Sequence, residues 1–456
     1  MNTKNKEDIL SLAKYGLKLV ESKFNCKCAE LFFLKNKYIN IDVEENSVKH
    51  SEIGEDSGVS IRMIDNRGSL GFAITNILTR KNVEKMIKNA YNLMRNGTED
   101  PDFKDLPQKE SKYPDVKGLY DAEIKNIELE NSLKYVKEMI KICEKDDFAV
   151  SQSANFSASY SKVFIFNTNG LEAIKANTMC TVVSTIIVKD KITKDISTGY
   201  DWQSERSLNK INAEEIAKNA LNYAKLNLNR IKIKSMVCPI ILTPNGVIDF
   251  ILSPISSAVN AEAYQYKRTF LVGYLNEFIG SEILTIEDNG LIDGAAGSAI
   301  FDGEGIPCTK KEIISKGKFE RLLHNSYTAG KDGVQSTGNA SRSSYNVLPS
   351  IGTSNFILKP GTTNKDEIIT DISEGILLDS TGDSPNIATG DFSGLILRGN
   401  LIKKGEIKEP LNETMFAVNL LDLLKNISLI SKEFKIYGAY RAPYVKIDNI
   451  KIIGAA

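Results

Sequence analysis

Past Lys234 the chain changes texture, and that switch constrains the fold more than any other feature of the sequence. Upstream, amphipathic helical patterns alternate with strand-like runs. Ile9, Leu12, Ala13, Gly16, Leu17 and Val20 recur at helical spacing, as do Val83, Met86, Ile87, Ala90, Leu93 and Met94, with Gly97 placed to end the second helix. Between them lie the alternating Ile39, Ile41 and Val43, and a hairpin signal in which Asn66-Arg67-Gly68 joins Gly58–Ile64 to Ser69–Ala73. Downstream, short apolar runs are separated by Gly-rich turns such as Asp293-Gly294-Ala295-Ala296-Gly297 and Thr381-Gly382-Asp383. The sequence therefore predicts an α+β fold, N-terminal α/β segments of strands and packed helices followed by a β-dominated C-terminal domain.

Length agrees with several domains, since 456 residues at ~150 per domain give about three. Residues 1–97 read as an N-terminal α/β domain, and 98–120, rich in Asp, Lys and Pro, as a linker. Residues 121–234 read as a central α/β domain. It opens with a helix carrying Leu129, Leu133, Val136, Met139, Ile140 and Cys143. Strands near 162–166 and 181–188 follow, with Asn169-Gly170 turning between them, then a helix started by the capping box Asn212/Glu215. Residues 235–456 form the β-rich C-terminal domain, where Pro254 kinks or delays the helical pattern of Val247–Val259. The charged run Arg230–Lys234 reads as a protected edge strand.

Charge narrows the function classes. Fifty-eight Lys and Arg balance fifty-eight Asp and Glu, which argues against a polyanion as the main partner and predicts no direct nucleic-acid contact. The polar opening Met1–Asp8 has no apolar signal core behind it, and no stretch reaches the ~20 apolar residues of a membrane helix. Six scattered cysteines suit reduced thiols, so the expected location is the cytoplasm, with no membrane partner. Cys26-Lys27-Cys28 lacks companions for a four-ligand site. Only two histidines, His50 and His324, are present, and they lie far apart. A catalytic zinc wants three protein ligands, commonly with two histidines close together.

No Walker loop, complete dinucleotide fingerprint or nucleophile elbow occurs. The polar loops of the C-terminal domain are the remaining candidates: Asp302-Gly303-Glu304-Gly305, Ser336–Arg342 and Ala388–Ser393. Asp302, Glu304, Asn339, Arg342, Thr389 and Asp391 could line a peptide-binding cleft, or could hydrogen-bond to their own turns.

These same strings carry a family resemblance. Gly58-Val59-Ser60-Ile61-Arg62, Gly71–Asn76, Phe301–Pro307, Ser336–Ala340 with Arg342, and Thr389–Ser393, in this order, resemble the TldD/PmbA family, often labelled modulators of DNA gyrase and including metallopeptidases. The resemblance implies a zinc motif His-Glu-x-x-x-His on a helix of the catalytic, TldD-type members, and a late Cys-Gly-Lys loop. The matching helix here reads Leu252-Ser253-Pro254-Ile255-Ser256-Ser257, and no cysteine follows Cys308. The chain thus resembles the PmbA (TldE) branch. That resemblance implies a noncatalytic subunit with no cofactor of its own, paired with a homologous TldD-type partner that carries zinc. The two would form part of a chamber that degrades or processes peptides. A homodimer is a further expectation, C2 pairs being the commonest oligomers. The alternatives are an independent hydrolase with a metal on Asp302, Glu304 and His324, and a regulator that binds a topoisomerase.

Overall fold

The computed structural model describes residues 8–455 of the chain. The polar opening Met1–Glu7 lies outside the described residues. Six antiparallel strands form the first sheet: β1 (Cys28–Glu44), β2 (Ser47–Ile64), β3 (Leu70–Thr75), β4 (Ala149–Asn167), β5 (Glu172–Lys189) and β6 (Ile196–Glu205). Their order is β3-β2-β1-β4-β5-β6. The strands of 1–97 and those of 121–234 are therefore hydrogen-bonded to each other, with Glu30 opposite Asn167 where β1 meets β4. They form one sheet where the sequence reads as two units. The β2–β3 hairpin forms at the expected turn, and Gly68 takes φ +80° there. The strands are longer than the sequence suggests: β4 and β5 absorb the whole of 149–189 apart from the turn around Asn169-Gly170.

Side chains alternate across a strand, so odd and even positions of β1 face opposite ways. The odd positions Leu31 and Phe33 pack beneath the helices Ile9–Lys23 and Arg80–Arg95. Further along, Ile39, Ile41 and Val43 lie beneath Leu129–Glu144 and Ala213–Leu226. All four helices thus cover one face. The first helix buries Leu19 rather than Leu17, and Leu93 of the second is 55% exposed, because each buried stripe follows the sheet surface rather than every apolar position. Asn212 caps the last of these helices by accepting from the Glu215 N–H at 3.1 Å, as the capping pattern predicts.

The even face of β1 meets the C-terminal domain. There Phe32 packs in one apolar cluster with Ile165, Leu171, Ala173 and Phe301. Residues 98–120, mostly exposed, run along the layers and touch both. Their Pro107 carbonyl accepts from Asn167 at 2.7 Å, and the Tyr113 hydroxyl donates to the Gly305 carbonyl at 2.9 Å.

The second sheet has eleven strands. Its strand β7 (Met236–Leu242) pairs in parallel with Glu374–Thr381 and antiparallel with Tyr440–Ile453. Asp391–Lys403 and Met415–Asn419 complete a closed ring of five strands between those two neighbours. Against the ring pack Phe250, Ile251 and Leu252, and the Phe250 ring lies 5.0 Å from Phe392 and 5.1 Å from Phe416. The helical pattern around Pro254 resolves into a first α turn (Pro244–Val247), a π-helical turn (Ile248–Leu252) and a second α segment that begins at Ser253. Pro254 thus follows directly on the π-helical turn within a continuously helical backbone (Leu252 φ −71°, ψ −48°), so the irregularity falls where a proline interrupts the regular bonding. Arg230–Lys234 does not form the expected edge strand. Among its described residues only Ile231 bridges, to Leu411, through backbone bonds with Pro410 (2.8 Å) and Asn412 (2.7 Å).

Candidate functional site

A charged residue inside a strand buried on both faces must be paired. Cys28–Phe33 and Gly58–Ile64 are such stretches, and Glu30 and Arg62 sit opposite each other within them. Arg62 donates to Glu30 through Nε at 3.0 Å and Nη2 at 2.9 Å. The same Nη2 donates to Glu304 at 2.7 Å, reaching from the first sheet into the C-terminal domain. Glu304 also accepts from the Ser326 N–H at 2.8 Å. Arg342 returns the link by pairing with Glu30, its guanidinium 4.6 Å from the Phe32 ring. Two carboxylates and two guanidinium groups thus form a buried, balanced cluster across the seam.

Burial works against every charge in this cluster, and the partners decide the outcome. Burial opposes the Arg62 cation, but Glu30 and Glu304 outweigh it and raise its pKa. Burial likewise opposes the Glu304 anion, yet Arg62 and the Ser326 contacts hold its pKa below the ordinary value. Arg342 is lowered by burial and by its neighbour Arg62.

Asp302 has a different task. Its Oδ1 accepts from the N–H groups of Glu304 (2.8 Å) and Ile306 (3.0 Å), and its Oδ2 from that of Ala340 (2.9 Å). It therefore ties the 302–306 turn to the Ala340–Ser341 strand. Burial and the nearby Glu304 push its pKa up to about 7, against these three donors. Asn339 is buried and fully bonded. Its amide donates to Asp288 at 2.8 Å and to the Gly352 carbonyl at 2.9 Å, and its oxygen accepts from Lys311 at 2.8 Å.

Asp302, Asn339 and Arg342 line a cavity of about 180 Å³ together with Phe32 and Lys175. Lys175 donates to the Phe301 carbonyl at 2.5 Å, and burial lowers its pKa. The structure thus gathers Asp302, Glu304, Asn339 and Arg342 at one seam. Thr389 and Asp391 lie elsewhere, on an exposed turn: the Thr389 hydroxyl accepts from the Asp391 N–H at 3.2 Å, and Asp391 accepts from Asn419 at 3.0 Å. They share no hydrogen bond with the seam. Glu30, Lys175 and Lys311 are not among the residues the sequence singles out, and Arg62 appears there only within a family string, not as a site residue. A lone charge between apolar neighbours on a long strand is the signal that could have found Glu30 and Arg62.

The metal set Asp302, Glu304 and His324 does not assemble. The oxygens of both acids are engaged as described, and the His324 Nδ1 lies 3.2 Å from the Thr328 hydroxyl. Among the described residues no three His, Cys, Asp or Glu side chains are grouped to hold an ion. The helix matching the zinc motif offers a poor donor set. Leu252 and Ile255 are buried, and the hydroxyls of Ser256 and Ser257 donate to the Ser253 carbonyl at 2.8 and 3.1 Å. Where the late cysteine loop would fall, Tyr437 and Tyr440 pair across a tight turn. Gly438 there has φ +56°, and a Cβ would stand 2.7 Å from Trp202. Neither half of this region fits zinc.

Three adjoining stretches match profiles described as PmbA/TldA metallopeptidase domain 1 (residues 29–93), central domain (122–228) and C-terminal domain (235–454). The chain belongs to the PmbA/TldD metallopeptidase family. Among its relatives is an uncharacterized protein of Methanocaldococcus jannaschii, 29% identical over 87% of this chain and 89% of that one. A metalloprotease PmbA homolog of Buchnera aphidicola is 26% identical over 98% of this chain and 97% of its own. A metalloprotease TldD homolog of Haemophilus influenzae is 22% identical over 90% and 87%. TldE of Thermococcus kodakarensis superposes with a TM-score of 0.85 at 24% identity, over 98% of this chain and 99% of that one, a likeness of fold.

Proposed function

We propose that this chain is a PmbA/TldE-like, noncatalytic subunit that joins a homologous, zinc-bearing TldD-type partner and forms part of a chamber in which peptides are degraded or processed. The observation that carries this reading is the donor set at Leu252–Ser257, where two aliphatic side chains are buried and two hydroxyls are spent on the helix's own carbonyl. A metal-bound water has no ligand set to hold it there. The turn at Gly438, closed against Trp202, supports the same reading at the second place where a ligand is expected. The chain's own contribution is then structural: it supplies chamber wall, exposed strand edges that can pair with peptide backbone whatever its side chains, and limits on which peptides reach the partner's zinc. Among the described residues no helix is long and apolar enough to cross a membrane.

The test is reconstitution. The chain alone should cleave no peptide, and cleavage should appear when it is mixed with a TldD-type homologue that retains both histidines and the late cysteine. A chain that assembles only with itself and stays inactive on mixing contradicts the proposal.

A further inference from the structure

A second cavity, of about 240 Å³, lies where the helix Ala213–Leu226 meets the C-terminal domain, away from the seam cluster. Its walls join elements far apart in sequence, and its charged groups are Lys365, Arg398 and Lys435 against Asp366 and Asp379, a net positive charge. Arg398 pairs through Nη2 with Asp379 at 2.7 Å and donates through Nε to the Ser380 hydroxyl at 3.2 Å. Its Nη1 is buried and has no partner among the described residues. Asp379 does not reach it: one of its oxygens takes Nη2 and the other accepts from the Thr243 hydroxyl at 2.6 Å. A buried donor left unpaired on a charged group is costly, so a ligand acceptor placed there is favoured.

A second cation converges on the same place. Lys435 Nζ is 3.1 Å from the Tyr223 hydroxyl, and no carboxylate pairs with it among the described residues. Arg398 and Lys435 both stand over the Tyr223 ring, 5.4 and 5.8 Å from its centroid. Lys365 lies 5.8 Å from the neighbouring Tyr444 ring. Burial raises the pKa of Tyr437 and Tyr444, which keeps both hydroxyls protonated and able to donate. The rest of the wall is mixed: Leu226, Ile369, Leu377 and Ile407 give it an apolar side, and Asn227, Asn245 and Asn400 add neutral polar groups.

We propose that this cavity binds a small monocarboxylate carried on an apolar or aromatic body, its carboxylate between Arg398 and Lys435 and its body on Tyr223, Tyr437 and Leu377. Three cations with convergent donors call for an anion. The carboxylates of Asp379 and Asp366 on the same wall disfavour a dianion such as phosphate. The volume falls below the about 300–1,000 Å³ typical of drug-sized pockets, which limits the ligand to roughly amino-acid size. The C-terminal carboxylate of a short apolar peptide and a free aryl or branched-chain acid share this chemistry.

Isothermal titration of the full chain tests it, using N-acetyl-phenylalanine, its primary amide, 3-phenylpropionate and inorganic phosphate as probes. The acid should bind at least about tenfold more tightly than the amide, the difference expected for a charge-assisted contact. Lys435 is exposed, so K435Q should leave the melting temperature unchanged while weakening the acid several-fold and leaving the amide as it was. R398Q should weaken the acid further; if it does not fold, K435Q alone decides. Tighter binding of N-acetyl-phenylalanine than of 3-phenylpropionate supports a peptide terminus, and equal binding supports a free acid. Equal affinity for acid and amide, indifference to K435Q, or preference for phosphate would overturn the assignment.

Discussion

Glu30 and Arg342, 312 positions apart in sequence, form an ion pair whose side chains are 0% and 1% exposed. The pair closes a chain of charges that runs from Arg342 through Glu30 and Arg62 to Glu304 and so fastens the first sheet to the C-terminal domain.

Breaking one member of a buried pair leaves its partner charged and dry, which costs about 3–5 kcal/mol. Among the described residues Arg342 has no other ion-pair partner than Glu30, whereas Arg62 keeps Glu30 when Glu304 is lost. Urea denaturation should therefore rank E30Q as more damaging than E304Q. The reverse ranking, or a loss below about 1 kcal/mol for E30Q, would show that the cluster does not hold the seam.

His324 gives the fold a pH dependence. Burial lowers its pKa from the ordinary value, so protonation is easier in the unfolded chain. Its contribution to stability is fully present above the unfolded pKa of about 6.5 and is lost as the pH falls through the lower folded value. Thermal melts of wild type and H324Q from pH 7.5 downward should show the wild type losing more stability on acidification than the variant. Parallel curves would refute this.

The turn at Gly438 should resist side chains. G438V must hold a β-branched residue at positive φ and push its Cβ toward Trp202. A loss of about 1–3 kcal/mol is expected from strain and overpacking. Tryptophan fluorescence should shift with it, since Trp202 is the chain's only tryptophan. An unchanged spectrum and midpoint would mean that the turn relaxes freely.

The α+β class, the hairpin at Gly68 and the capped helix at Asn212 were legible because each rests on local chemistry. The joining of β1 to β4 was not, since register between strands more than a hundred residues apart leaves no local mark. Asp302 and Asn339 stood out as polar loop residues, but their bonds to Ala340, Asp288 and Gly352 reach segments that no local pattern links to them. Thr389 and Asp391 looked similar in sequence, yet occupy a separate exposed turn. Glu30 and Arg62 were hidden inside apolar strands, and only the pairing of those strands reveals why a charge is tolerated there. The Arg398 cavity draws on five segments and has no sequence motif.

Zinc content and peptide hydrolysis, measured together on the purified chain, test the noncatalytic reading most directly. Metal analysis should find zinc well below one ion per chain, and cleavage should be absent until a histidine-bearing TldD-type homologue is added. One tightly held zinc per chain, with peptides cut by the chain unaided, would contradict it.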